Sequence, residues 1–570
     1  MSSIDKMKIE ASKVFMWGWV IEFCILMNIP MDNFGGDGLN LPINNVSWSF
    51  CFLLMACSWF IIKKSIIFTE VFKWLLLGVV LMTFPALWTH SRDALLFATP
   101  RILGLWSGLF LYFTTTQIVF NEKSVLFLFR AISLSSFIVV LFILFEYGVP
   151  QMLPKGMQLL LSQYGCHAMG IFQQANVTST YIATGLASSL FLVSYEKTTW
   201  RYGKETILIF LCVIVICDIA TLILLQSRVG WIGGGGVLVI IMLVAYLRPF
   251  GYVVMKERQK IMMYISLAGI VIGFFILNKN AMQVIHEHDS STVHRWLAIV
   301  NSIKMIMIHP VKGWGLGTFE GAYQLWMSNL KPSNPSREIM NHPHNEVLLL
   351  WFEGGIVALL GAGGVLRAFY LLKLRCNNIW SLMCLICIIP IALHTQTEYP
   401  FIYSVPHFFV VILLMAFSES CNKTRCSGMN VSWQFFYRTP WVNGMFGMLC
   451  LYGFIMMTWS YSANNILNDF EYNPIKNESY IANISVPWFV QYRYENDLNL
   501  LKLIDYKKNK DVRLLWDFVR QNGIWLGVHA DPELYKNQIQ VYKYLGDVKK
   551  SNEWVYKANL TFPWETQDFN

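Results

Sequence analysis

The amino-acid sequence predicts an all-α fold: a polytopic membrane bundle of about 12–13 transmembrane helices, one long outside loop and a small helical C-terminal region. Three observations predict it. The 570 residues are 55% hydrophobic and only 14% charged, whereas ordinary soluble domains carry about 25% charged residues. Apolar runs near the length that crosses a bilayer, about 20 residues, recur almost to the end of the chain. Lys and Arg are divided unevenly between alternate connections.

Thirteen runs qualify as candidate spans, near 14–30, 46–62, 71–88, 102–120, 124–149, 177–195, 206–226, 229–247, 261–278, 345–372, 379–397, 401–417 and 441–459. The first is read as a span, since a secretory signal is followed by a soluble body. With a cytoplasmic N-terminus, the inside segments and adjoining span ends hold 21 of the 44 Lys and Arg, among them Lys63, Lys64, Arg201, Lys204, Arg248, Lys256, Arg258 and Lys260. The outside connections before residue 460 hold 10, six of them in the loop 279–344, and a loop that long crosses regardless of its charge. The orientation follows, and it puts residues 460–570 outside, which is the periplasm if the cell is Gram-negative.

Four segments result: 1–278, the first part of the bundle; 279–344, a long loop with interfacial helices; 345–459, four more spans; and 460–570, a polar tail. Within the loop, Val293, Trp296, Leu297, Val300, Ile303 and Met307 recur at helical spacing, and such a helix can lie in the membrane interface. His309-Pro310 and the glycines at 313, 315 and 317 end it and turn the chain. In the tail, helical patterns over Asp531–Tyr544 and Asp547–Leu560 join near Gly546 as a hairpin of the kind used in tandem repeats.

The net charge of +9 is mostly inside-loop bias together with the tail, and it gives no reason to expect nucleic acid as a partner. Of the twelve cysteines, nearly all fall in spans or inside segments and only Cys166 in an outside loop, so they read as packing residues.

Ionisable groups at membrane depth are costly, and each needs a reason. The richest cluster is Asn341-His342-Pro343-His344-Asn345-Glu346, directly before the span that starts at Val347. Asn345 suits the cap of that helix, whose N-terminal dipole favours an anion. A histidine there can take a proton near neutral pH. His342 and His344 are also spaced as an HxH pair, but a zinc site needs three or four ligands and no second cluster is evident, so no metal is expected. In Gln226-Ser227-Arg228 the guanidinium is a bidentate partner for phosphate at the mouth of a helix pair. The alternative is a snorkelling Arg in a tight turn, with Gly233–Gly236 letting helices approach. Arg92, Arg101, Gln173, Gln174, Asn176, Arg295 and Lys312 are further outside-facing candidates. Glu353 reads as structural, and Glu398, near His394, as a partner for an Arg.

Taken together these stretches resemble a bacterial O-oligosaccharyltransferase of the superfamily that also holds O-antigen ligases and O-antigen polymerases. The resemblance rests on Gly170-Ile-Phe-Gln-Gln-Ala-Asn176, on Ser227-Arg228, and on the run from Arg295-Trp296 through His309-Pro310 to Gly317. It rests also on His342-Pro-His-Asn345 through Glu353-Gly-Gly355, and on His394 with Glu398-Tyr-Pro400. It extends over roughly residues 165–420, in order, and implies a GT-C-like bundle with no cofactor. It further implies an undecaprenyl-pyrophosphate glycan donor, a catalytic histidine at His344 with His342 beside it, and pyrophosphate-binding arginines at Arg228 and Arg295. Arg101, Gln174, Asn176 and Lys312 are assigned to donor binding, with Asn345 and Glu398 in support. Where the family commonly has Gln-Pro-Asn, this chain has Gln174-Ala175-Asn176, which leaves the backbone geometry there open. The tail looks like that of protein-glycosylating members, which implies a Ser or Thr acceptor on a pilin-like or other exported protein. Ligation to lipid A core, polymerisation of repeat units, and transport of a lipid-linked sugar are the competing readings.

Overall fold

The computed structural model describes residues 3–31, 37–62, 66–118, 120–163, 168–195, 204–277, 281–422 and 440–569. Among these the regular structure is helical, with 22 α-helices and no strand. Ten helices are long and apolar enough to cross a membrane, and Ile379–His394 and Val405–Cys421 are two shorter apolar ones. The protein is a multi-pass membrane protein.

Several boundaries differ from the expected spans. The helix at the expected span 14–30 is Ser3–Cys24, whose apolar part stops at Cys24 and is followed by a 3-10 turn at Leu26–Asn28. That leaves it outside the set of ten, because Ser3 to Lys13 is rich in charge. Near 401–417, a short helix Pro400–Tyr403 and an extended Ser404 precede Val405–Cys421. The last long helix continues well past the expected 459, to Tyr472.

The chain divides into two compact units, 1–76 with 106–286 and 365–458, and 77–105 with 287–364 and 459–570. In the first, helix Ala175–Tyr195 is central, buried along almost all its length and packed on Glu122–Gly148, Lys204–Leu224, Arg228–Leu247 and Ile379–His394. Small residues make the approach possible, since apolar side chains gain little from one another in lipid and close backbone packing takes over. A Cβ on Gly185 would stand 2.1 Å from the Ser136 side chain. Gly269 and Gly273, four apart on Lys256–Leu277, seat against Ile219, Ala220 and Ile223. In the glycine run, Gly233 faces Pro390 and Gly234 faces Leu222, whereas a Cβ on Gly235 or Gly236 would have nothing within 4 Å among the described residues. Half of that run is a packing device.

In the second unit a core of Ala298, Met305, Ile306, Phe319, Tyr323, Met340, Leu349 and Phe352 joins helix Ala281–Ile306, helix Phe319–Ser328 and the head of Glu346–Leu374. The tail adds Gln491–Asn509, Val512–Trp525, Pro532–Tyr544 and Val548–Thr561. The last two form the expected hairpin, capped by Asp531 and Asp547 and linked through Gly546 at φ +78°. Tail and loop pack as one body: the Asn334 amide donates to the Thr561 carbonyl at 2.8 Å, and Glu320 accepts from the Ala530 N–H at 2.9 Å and pairs with His529 at 3.0 Å. The ten described cysteines are free, and Cys166 and Cys426 lie outside the described residues.

Candidate functional site

The first unit gathers Gln174, Asn176, Ser227, Arg228, His394 and Glu398. The approach to the central helix is bent: Gly170 has φ +73° and Gln173 φ +55°, and the Gly170 N–H donates to Glu146 at 2.7 Å. The helix then starts at Ala175. Proline is well tolerated at a first helical position, whose N–H has no partner in the helix, so alanine there preserves the same start. The Ala175 departure from the family pattern therefore leaves Gln174 and Asn176 at a helix entry.

Both amides turn to one carboxylate. Asn176 Nδ2 donates to Glu398 Oε1 at 2.6 Å, Gln174 Nε2 donates to Glu398 Oε2 at 3.1 Å, and His394 Nε2 lies 3.2 Å from Oε2. Glu398 is 4% exposed and His394 0%. A carboxylate so buried needs several donors around it. Its described partners are thus two amides and an imidazole. With its amide nitrogen fixed, Gln174 presents Oε1 as a buried acceptor that no donor meets among the described residues.

Ser227 caps the next helix, accepting from the Gly230 N–H at 3.2 Å, and its hydroxyl donates to Asn176 Oδ1 at 2.7 Å. Arg228 is the first residue of that helix and is exposed. The residue before the cap, Gln226, takes φ +53°, a left-handed turn that aims the chain from one helix into the next.

The second unit holds the histidine pair. His344 has φ +55°, and its backbone N–H donates to His342 Nδ1 at 2.9 Å. That bond makes His342 Nδ1 an acceptor and leaves the proton on Nε2, 3.8 Å from Glu346. His342 is 2% exposed and His344 half-buried. Asn345 caps the following helix as expected, Oδ1 accepting from the Leu348 N–H at 2.9 Å. Among the described residues no three His, Cys, Asp or Glu come together to hold a metal.

Helix Glu346–Leu374 is interrupted at Gly355, at φ +62°, ψ −157°, a region open to glycine alone. The loop 310–315 bonds to the break: Trp314 N–H to the Phe352 carbonyl at 2.9 Å, Gly315 N–H to Glu353 at 2.9 Å, and Ile356 N–H to Pro310 at 3.0 Å. A Cβ on Gly313 would meet the Glu353 carbonyl at 2.5 Å. Exposed Lys312 sits on this loop, its carbonyl accepting from the Trp88 indole at 2.9 Å. Arg101, expected at the donor, pairs with the Glu353 side chain, which is buried in the helix head. Half-buried Arg295 lies on Ala281–Ile306 beside the His294–Glu338 pair at 2.6 Å.

Sequence reasoning missed Thr180, whose hydroxyl stands 2.9 Å from His394 Nδ1, and the Glu320–His529 pair, whose members are 209 residues apart. Nothing local marks either one.

Residues 213–363 match the family described as O-Antigen ligase, 168–193 the family described as Protein glycosylation ligase, and 382–570 the family described as Virulence factor membrane-bound polymerase, C-terminal. No curated protein matches the chain.

Proposed function

We propose that this chain, which belongs to the superfamily of O-antigen ligases and protein glycosylation ligases and transfers glycans, moves a preassembled glycan from undecaprenyl pyrophosphate to a Ser or Thr hydroxyl. The acceptor is an exported protein, pilin-like or other, and the reaction runs on the periplasmic side of the bacterial inner membrane. In the chemical step the acceptor oxygen attacks the anomeric carbon, the bond from that carbon to the pyrophosphate oxygen breaks, and the hydroxyl proton passes to a base. His344 is that base, and general-base help of this kind is typically worth about 10²- to 10⁴-fold. His342, in its fixed tautomer, holds the His344 backbone.

Departure of the carrier leaves charge on phosphoryl oxygens, where fixed cations give the largest gain. Arg228 and Arg295 take that role, with Arg101 and Lys312 as further basic donor contacts and Asn176 beside Glu398. The unmet Gln174 Oε1 suits a glycan hydroxyl. The single observation that carries the reading is the His342–His344 turn: a strained backbone, a tautomer set by a main-chain N–H, and an imidazole left half-buried at the head of an apolar helix. Backbone strain of this kind persists where surrounding structure enforces it, and it clusters at functional sites.

A lipid acceptor is the second reading, favoured by the match over 213–363 to the O-Antigen ligase family, which is longer than that over 168–193 to the Protein glycosylation ligase family. Purified protein mixed with lipid-linked glycan and either a pilin-like protein or lipid A core decides between them by the mass of the acceptor. Added mass on the protein alone is expected, and added mass on the lipid alone moves the assignment to the second reading. His344→Ala should abolish transfer in the same assay at unchanged membrane level; transfer at the parent rate removes His344 from the chemistry.

A further inference from the structure

We infer that His394 and Ser227 are positioning residues for donor binding, acting through Glu398 and Asn176 on the helix turn that carries Arg228; the inference rests on the donor-binding role proposed for Arg228. The hydrogen bonds form one unbroken line inside the first unit. Thr180 Oγ1 lies 2.9 Å from His394 Nδ1, and His394 Nε2 lies 3.2 Å from Glu398 Oε2. Glu398 Oε1 accepts from Asn176 Nδ2 at 2.6 Å, and Asn176 Oδ1 accepts from the Ser227 hydroxyl at 2.7 Å. Ser227 Oγ then accepts from the Gly230 N–H at 3.2 Å and from the Ser179 hydroxyl at 2.8 Å.

Direction is fixed from Glu398 to Ser227. A carboxylate accepts and cannot donate, so the Asn176 amide must turn its nitrogen to Glu398 and its oxygen to Ser227. Ser227 therefore has one place for its proton, and its oxygen faces the first turn of the helix. Flipping the Asn176 amide would set its oxygen against the carboxylate oxygen of Glu398. Burial keeps water from substituting: Thr180 and His394 are 0% exposed, Ser227 3% and Glu398 4%. Arg228 immediately follows the cap, so the cap determines how the first turn begins and where the guanidinium is presented. A shift of about 1 Å in a substrate-holding group can cost about 10²-fold in rate.

The Ser227 link has a second support. A Cβ on Gly230 would meet the Ser179 side chain at 2.4 Å, so the turn after Arg228 is seated directly on the central helix. Cap, amide and glycine contact together leave that turn no freedom of register. Asn176, with both amide ends engaged by protein, contributes by holding the cap.

The test compares variants of the whole protein, purified in lipid nanodiscs, with lipid-pyrophosphate-linked glycan as the varied substrate. His394→Leu removes the donor to Glu398, and Ser227→Ala removes the hydroxyl with little change of volume. Each is expected to raise the KM for the lipid-linked glycan about tenfold, the scale of one lost hydrogen bond to a charged or capping group, while kcat and the acceptor KM change little. His394→Gln keeps a nitrogen donor near the Nε2 position and Ser227→Thr keeps the hydroxyl, and both should restore the donor KM. An unchanged donor KM in both Leu and Ala variants overturns the inference, as does a loss confined to kcat or a Gln variant no better than Leu. Arg228→Ala, run alongside, separates the two levels. If it raises the donor KM and the relay variants do not, positioning alone fails; if it leaves the donor KM unchanged, the role of Arg228 fails and the relay has nothing to position.

Discussion

Asp497 lies wholly buried on helix Gln491–Asn509, and among the described residues no amide, hydroxyl or cationic donor meets its carboxylate oxygens. Burial, and then the neighbouring Glu471, push its pKa well above the ordinary carboxylate range, opposed by Arg493. That guanidinium is engaged with Glu471 at 2.7 and 2.8 Å and with Asn464 at 2.8 Å. A carboxyl with a raised folded pKa keeps a proton that the unfolded chain has released, so folding takes up a proton and stability falls as pH rises from the ordinary carboxylate range towards the folded pKa. Asp497→Asn abolishes that dependence on pH. The variant should match the parent near pH 4 and exceed it at pH 8 by about 1–3 kcal/mol, the cost of a buried group left unsatisfied. Thermal unfolding of both proteins across pH checks this, and parallel curves would refute it. The same kind of reasoning bears on Arg101, since an Arg101 variant strips the partner from buried Glu353 and its activity must be read beside its stability.

At the scale of elements, the interrupted helix Glu346–Leu374 and the loop 310–315 are made for each other. Neither Gly313 nor Gly355 has room for a methyl group, since the added carbon would stand 2.5 Å and 2.1 Å from main-chain oxygens. Gly355→Ala should cost about 3 kcal/mol or more, combining a backbone region closed to alanine with a main-chain clash. Gly363 lies farther along the same helix with nothing within 4 Å, and Gly363→Ala should be neutral or slightly stabilising by helix propensity. Fluorescence-detected size exclusion of the two variants reads the difference. Equal folded yields would show that the break accommodates a side chain.

Across the whole molecule, what was legible in the sequence is what a few neighbouring residues decide. The spans follow from apolar length, the tail hairpin from Asp531, Gly546 and Asp547, and the cap at Asn345 from its place before Val347. The first helix ends at Cys24, short of the expected Pro30, because the backbone turns at Leu26–Asn28. The relay around Glu398 joins segments more than 200 residues apart, as does the Arg101–Glu353 pair, and no local pattern announces which carboxylate a given amide will meet. The tail is a case in point: composition marks it as a polar appendage, yet Asn334 and Glu320 fasten to Thr561, Ala530 and His529. Removing residues 548–570 should therefore loosen the loop as well as the tail, and limited proteolysis is expected to open new cleavage between 329 and 340. An unaltered digestion pattern would mean that the loop holds its shape unaided. Loss of transfer after such a truncation would then not by itself report on acceptor contact.

Because the head of Glu346–Leu374 is stitched to the backbone of 310–315 through main-chain atoms, the two strips form a single transplantable part. A chimera that imports the histidine turn from a related protein without its matching loop would present the imidazole on a mismatched mount. Exchanging 308–318 and 342–356 together preserves the fit, whatever side chains each strip carries.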